Sequence, residues 1–281
     1  MSEETVTVRT PDTETPEKKA LLEYEAPKVG LRDWLLTILF LPLFWSYFLI
    51  AEVLQRIAIP FGMRAHDWVQ DFLNFSIRAT LSRVLGMKLS VERFGEIPAG
   101  VPLIILSNHQ AIFDVTLLHT LFSKWKPRFI AKKELGRGIP GVSFNMRRGG
   151  HALIDRTNPQ QALNEIQRLG FDVADRRCAA VIFPEGTRAK RGKLKPFRHA
   201  GISMLLQTCP HAYIVPVTID GTWKLSAFRC FPMPSNVDVN IVIGAPVRVS
   251  DFESLRDLTR ELHAVIASTL DRLRSRDSSS A

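Results

Sequence analysis

Apolar positions along the chain fall into three regimes. Residues 1–27 show no apolar period; seven acids, three bases and Pro11, Pro16 and Pro27 predict a disordered, net-acidic polar tail. From Trp34 to Ala51, 18 consecutive residues carry no charge. As a helix that run reaches roughly 27 Å, just short of a bilayer's hydrocarbon core. Pro42 is expected to kink it, and Trp34, Trp45 and Tyr47 lie near its ends, where interfacial aromatics gather. Residues 65–85 predict a second helix, with Trp68, Phe72 and Phe75 on one stripe and Leu73, Ile77 and Leu81 on another. Together residues 28–85 read as a hydrophobic two-helix element for membrane association. A spanning helix, an interfacial helix and a core helix all remain open, although a core helix apolar all round is unusual in a domain of this size.

After Gly86 short apolar runs alternate with amphipathic segments. Strands are expected at Leu103–Ser107, Arg128–Ala131, Ala152–Ile154, Ala179–Phe183, Tyr213–Ile219 and Val237–Ile243. Helices are expected at Phe113–Phe122, Gln160–Asp175, His199–Gln207 and Phe252–Arg274, the second with Asn158 as N-cap and Pro159 at its first position. This alternation predicts an α/β domain over residues 86–275, a mixed sheet flanked by helices, with a frayed tail at 276–281.

The 281 residues suffice for one large α/β domain. A net charge of +9 points to an anionic partner, and its distribution narrows the choice. Lys124–Arg156 holds nine basic residues against two acids, and Phe183–Ala200 six against one. Positive charge confined to two Gly-containing segments is unlike the continuous basic face of a nucleic-acid binder, so no nucleic acid is expected. Cys178, Cys209 and Cys230 are odd in number and without C-x-x-C spacing, which indicates neither a disulfide framework nor a cysteine zinc site. The seven histidines are scattered and no metal site is expected.

The sharpest local feature is Ser107–Asp114, directly after an apolar strand, where open α/β sheets hold their ligands. On one continuous helix His109 and Asp114 would point about 140° apart. They can pair only if the chain turns between them, with Asp114 at a helix start. An imidazole oriented by a carboxylate is a general base; the plainer alternative is an N-capping aspartate beside a surface histidine. With no G-x-S-x-G elbow in the chain, the base would act directly on a substrate hydroxyl, which suits attack on a thioester. Phe183-Pro-Glu-Gly-Thr-Arg188 follows another apolar strand. There Gly186 would let backbone N–H groups approach an anion, and Arg188 offers a planar fork for phosphate oxygens. A β-turn with a solvated arginine is the alternative. Lys132 and Arg156 end two further strands, Arg156 with a structural pair to Asp155 as its alternative.

Together these segments resemble the 1-acylglycerol-3-phosphate acyltransferase family. Its motifs are similar to Asn108, His109 and Asp114 (N-H-x-x-x-x-D), Gly150–Arg156, Phe183–Arg188 and Ile214–Ile219, in order over about 110 residues. The resemblance implies His109 as general base, Asp114 as its orienting partner, and Arg156, Glu185, Gly186, Thr187 and Arg188 at a glycerol-phosphate site assisted by Lys132. It implies Pro216 as a residue shaping an acyl pocket. Ala111, where many members carry serine, and the less aromatic His151-Ala152-Leu153 depart from the pattern. The expected activity is transfer of an acyl group from acyl-CoA or acyl carrier protein to the sn-2 hydroxyl of 1-acyl-sn-glycerol 3-phosphate, giving phosphatidic acid without a cofactor. The expected partners are lysophospholipid, acyl donor and membrane lipid, at the cytoplasmic face of the inner membrane. Other acceptors (a lysophospholipid with a larger headgroup, a lyso-aminolipid, glycerol 3-phosphate) and a non-catalytic module binding anionic lipid are the alternatives.

Overall fold

A computed structural model describes residues 27–279 except Glu253, with side chains through Arg276. The polar tail expected at 1–27 therefore lies, apart from Pro27, outside the described residues. In chain order the helices are α1 (Leu31–Ala58), α2 (Met63–Arg83), α3 (Phe113–Leu121), α4 (Val142–Arg148), α5 (Pro159–Arg176), α6 (His199–Thr208), α7 (Thr222–Leu225) and α8 (Leu255–Ser279). The strands are β1 (Lys88–Arg93), β2 (Leu103–Ser107), β3 (Arg128–Lys132), β4 (Ala152–Ile154), β5 (Ala179–Ile182), β6 (Tyr213–Asp220), β7 (Asp238–Ile243) and β8 (Val247–Arg248).

One sheet forms in the order β1-β7-β6-β2-β5-β3-β4, with β8 on the first half of β6. Strands β6, β2, β5, β3 and β4 run parallel, and β7 is antiparallel to β6, so the sheet is mixed. All five residues of β2 are buried, as a central strand covered on both faces requires. Alternation then sorts them. Leu103 and Ile105 join the core with Phe40, Leu73, Ile77 and Leu117 from α1, α2 and α3. Ile104 and Leu106 join Leu169, Leu205 and Leu262 from α5, α6 and α8. The N-terminal helices and the sheet thus share one hydrophobic core.

Helix α1 runs unbroken through Pro42 and is tied to the α/β body near both ends. Asp33 Oδ1 accepts from Ser235 N, and Thr37 Oγ1 accepts from Met233 N. Further on, Glu52 Oε2 accepts from Gly141 N while Gln55 Nε2 donates to Gly141 O. The opposite face bares Leu35, Ile38, Leu39, Leu49 and Val53, and α2 bares Trp68, Phe72 and Phe75. Beneath them the bidentate Arg128–Asp67 pair is buried, at 2.7 and 2.9 Å.

Helix α5 begins as its sequence dictates: Asn158 Oδ1 accepts from Gln161 N at 3.1 Å, and Pro159 takes the first position. Four elements depart from the sequence expectation. β1, α4, α7 and β8 are short or carry charges that mask their periods. Helix α8 continues to Ser279, with no glycine or proline to stop it, so the expected frayed tail is helical that far.

Candidate active site

Because β6, β2, β5, β3 and β4 are parallel, their carboxyl ends share one rim. That rim receives Thr222, His109, the 183–188 loop, Lys132 and Arg156 in that order. At about 4.8 Å per strand, β4 lies roughly 14 Å from β2.

The chain turns between Ser107 and α3, and the turn brings His109 and Asp114 together. His109 Nδ1 lies 2.8 Å from Asp114 Oδ2. The same oxygen accepts the backbone N–H of Gln110 at 2.6 Å and of Ala111 at 2.8 Å. The other oxygen accepts the Thr222 hydroxyl at 2.6 Å. Asp114 thus closes the turn and holds the ring at once. A fully buried carboxylate held by four donors is an acceptor only, which fixes the proton on Nδ1 and leaves the Nε2 lone pair free. The His109 side chain stays 18% exposed, and its ring stacks on Phe183 at 4.1 Å and 18°. Asn108 braces the turn from behind, exchanging two hydrogen bonds with the backbone of Ile219.

The 183–188 loop sits beside this pair on neighbouring β5, and its residues divide. Glu185 is not aimed at solvent. Its oxygens accept from His109 N at 2.8 Å and Lys195 N at 3.1 Å, so it struts the two loops together. Burial pushes its carboxyl up to about 7. An acid in that position holds the loops rather than meeting a phosphate. Gly186 has φ +71, and its N–H donates to Phe183 O, so that donor serves the turn and not an anion. What the missing side chain allows is Arg198, whose Nε would lie 3.1 Å from a Cβ there. Thr187 Oγ1 and Arg188 O both accept from Lys195 Nζ, at 2.7 and 2.8 Å.

The Arg188 guanidinium is exposed and makes no hydrogen bond or ion pair among the described residues; the same holds for Lys132, Arg156 and Arg198. Asp155 pairs with Lys133, which leaves Arg156 open towards Arg198. Desolvation and the like charge of Arg198 lower Arg156 from the ordinary arginine value. The Glu134 carboxylate opposes this, and without an ion pair the exposed guanidiniums rely on water or a bound anion. Among the described residues no group of His, Cys, Asp and Glu is arranged to hold a metal ion. Thr222 and the Arg198 contact were not legible locally: Thr222 is 108 positions from Asp114, and Arg198 lay within a run of six cations.

The histidine–carboxylate pair and a set of exposed cations thus lie along one carboxyl rim of the sheet, and residues 88–220 match the Acyltransferase family. A 1-acyl-sn-glycerol-3-phosphate acyltransferase of Pseudomonas aeruginosa is 30% identical over 227 residues, 79% of this chain and 82% of that protein. That of Cocos nucifera is 29% identical over 173 residues, and the chain spans only 53% of its length. The chloroplastic enzyme of Brassica napus is 26% identical over 91% of this chain and 73% of its own. The solved 1-acyl-sn-glycerophosphate acyltransferase of Thermotoga maritima shares the fold, with a TM-score of 0.71 over 87% of this chain and 97% of that one at 23% identity. The chain belongs to the 1-acyl-sn-glycerol-3-phosphate acyltransferase family.

Proposed function

We propose that this protein moves an acyl group from an acyl thioester, on coenzyme A or acyl carrier protein, to the sn-2 hydroxyl of 1-acyl-sn-glycerol 3-phosphate. The observation that carries the reading is the 2.8 Å contact of His109 Nδ1 with Asp114, which leaves Nε2 free on the same sheet rim that carries Arg188 and Arg156. The hydroxyl oxygen attacks the thioester carbonyl carbon as Nε2 takes its proton. Asp114 stabilises the imidazolium that forms. The C–S bond then breaks, and the proton passes from Nε2 to the departing thiolate. Arg188, Arg156 and Arg198 hold the acceptor's phosphate, and Lys132 adds to their field. No cofactor enters these steps.

We read α1 as lying in the membrane plane. Its apolar run qualifies by length and composition to cross a bilayer. However, ties at Asp33 and Thr37 and again at Glu52 and Gln55 hold it against the α/β body. A spanning helix would break one set. The free thiols of Cys178, Cys209 and Cys230 suit a reducing, cytoplasmic face.

The test is to incubate the purified protein with lysophosphatidic acid and acyl-CoA and follow free thiol and lipid product together. Equimolar thiol and phosphatidic acid are expected. Thiol release without diacyl lipid would make the protein a thioesterase, and faster turnover of glycerol 3-phosphate or a larger-headgroup lysophospholipid would reassign the acceptor.

A further inference from the structure

The loop between α7 and β7 takes no part in the proposed chemistry, yet it is fastened to the first turns of α1. Met233 N donates to Thr37 Oγ1 at 2.8 Å, and Ser235 N donates to Asp33 Oδ1 at 2.7 Å. Trp34 meets Phe231 edge-on, with ring centroids 5.0 Å apart. Pro232, Met233 and Pro234 turn inward, whereas Phe231 is 51% exposed beside Trp34 at 40% and Leu31 at 75%. The backbone is bent to put it there. Arg229 and Cys230 both hold left-handed conformations, φ 56 and 67, which L-residues adopt rarely and at a cost. Such strain in front of an outward phenylalanine calls for a use of that ring.

Two observations identify what covers it. Phe231 continues the bare apolar face of α1 through its contact with Trp34, so whatever receives α1 reaches Phe231 too. Arg229 within the tip, Lys28 and Arg32 just before Trp34 in the chain, and Arg188 are all exposed, a set of cations that complements anionic headgroups. The loop that carries the tip leaves from the edge of the site, since it begins directly after α7, whose first residue Thr222 donates to Asp114 at 2.6 Å. We infer that the Arg229–Phe231 tip is a second membrane-inserting element, which seats the start of α1 and the Arg188 loop on an anionic bilayer at the place where the acceptor lipid enters. The inference rests on the membrane reading of α1 and on the acceptor reading of Arg188. In it Phe231 and Trp34 sit at headgroup depth, as aromatics with an apolar body do, and Arg229 meets lipid phosphates. A lysophospholipid in the same leaflet then reaches Arg188 without crossing water.

The full-length protein, wild type and with Phe231→Ala, Phe231→Trp or Arg229→Glu, is titrated with phosphatidylcholine vesicles with and without phosphatidylglycerol. Activity is measured with long-chain lysophosphatidate in the vesicles and with a monomeric short-chain acceptor in solution. Phe231→Ala is expected to weaken partitioning about tenfold, the worth of half a buried phenylalanine. It should slow the vesicle reaction and leave the soluble acceptor's rate unchanged, and Phe231→Trp should restore both losses. Arg229→Glu should lose roughly tenfold or more on phosphatidylglycerol vesicles and little on phosphatidylcholine alone. Unchanged partitioning in Phe231→Ala, or an equal loss on the soluble acceptor, overturns the inference, as does a change of oligomeric state without a change in vesicle binding. Should the wild type acylate neither acceptor, the enzymatic reading fails, and the partitioning data alone judge the tip.

Discussion

Replacing Asp114 separates the two tasks of its carboxylate, closing the turn and carrying charge. In Asp114→Asn, the amide oxygen takes the place of Oδ2 and still accepts from His109 Nδ1, Gln110 N and Ala111 N. The amide nitrogen then faces Thr222 Oγ1, and this hydroxyl turns its proton towards Gln110 Oε1, already 3.4 Å away. Every existing donor keeps an acceptor, but Thr222 Oγ1 takes only one of the two new amide N–H groups in this fully buried site, so folding should weaken by about 1–3 kcal/mol. The negative charge is what disappears. Two unit charges about 4 Å apart interact by about 4 kcal/mol at an effective dielectric of 20, and exchanging a charge-assisted for a neutral hydrogen bond costs at least about 1 kcal/mol. A loss of about 2–4 kcal/mol of transition-state stabilisation is a fall of roughly 30- to 1,000-fold in kcat. Asp114→Ala instead orphans two buried backbone N–H groups and a buried hydroxyl at ~1–3 kcal/mol each, roughly 3–9 kcal/mol of folding stability in all. Urea unfolding measures one quantity and thiol release in a coupled assay the other. If Asp114→Asn retained kcat within threefold of wild type while fully folded, charge at Asp114 would be irrelevant to the base. If it unfolded as readily as Asp114→Ala, the donor inventory would be wrong.

Other perturbations probe the surrounding parts. Glu185 sits at about 7 against an unfolded value near 4.5, so the native state holds the proton longer. Stability should therefore fall as pH rises from about 4.5 to about 7, by about 1.4 kcal/mol per unit at most; urea midpoints at pH 5 and pH 8 should differ in wild type and converge in Glu185→Gln. Gly186→Ala forces a side chain onto φ +71 and against Arg198, which should cost about 1–2 kcal/mol and raise KM for the phosphorylated acceptor more than for the acyl donor. Arg188→Ala should likewise raise the acceptor's KM selectively, whereas equal losses for both substrates would make the loop structural. Breaking the Arg128–Asp67 pair with Asp67→Ala leaves a buried guanidinium unpaired and should destabilise by about 3–5 kcal/mol, read by thermal unfolding, without touching the site.

The parts of this site that local spacing encodes were open to reading from the chain. His109 and Asp114 are five positions apart after an apolar strand, and only a turn can join them, so the histidine's place on a loop and the aspartate's place in the first turn of α3 followed from helix geometry. Strands β2 and β5 announced themselves because both their faces are buried. β1 hid because KLSVER carries three charges at a sheet edge, and α7 is a single turn. The site's remaining wiring runs between strands and leaves no local mark. Thr222 reaches Asp114 from the end of β6, and Arg198 reaches Gly186 from the start of α6. The resemblance implied Glu185 as a residue of the glycerol-phosphate site, yet both its oxygens are taken by backbone donors. A motif's letters do not reveal which way such a side chain points. Nor did apolarity alone place α1: its hydrogen bonds to Ser235, Met233 and Gly141, all distant in sequence, lay it along the body.

The account turns on Nε2 of His109 as the atom that receives the acceptor's proton, and one comparison addresses it directly. Single-turnover acyl transfer from acyl-CoA to lysophosphatidate is measured for wild type and His109→Ala, with matched circular dichroism and unfolding midpoints. A general base contributes on the order of 10²–10⁴ in rate, and among the described residues the side chain's one hydrogen-bond partner is Asp114, which keeps its other donors. The account predicts a folded variant slower by at least 100-fold. A folded His109→Ala that transfers acyl groups at more than a tenth of the wild-type rate contradicts it.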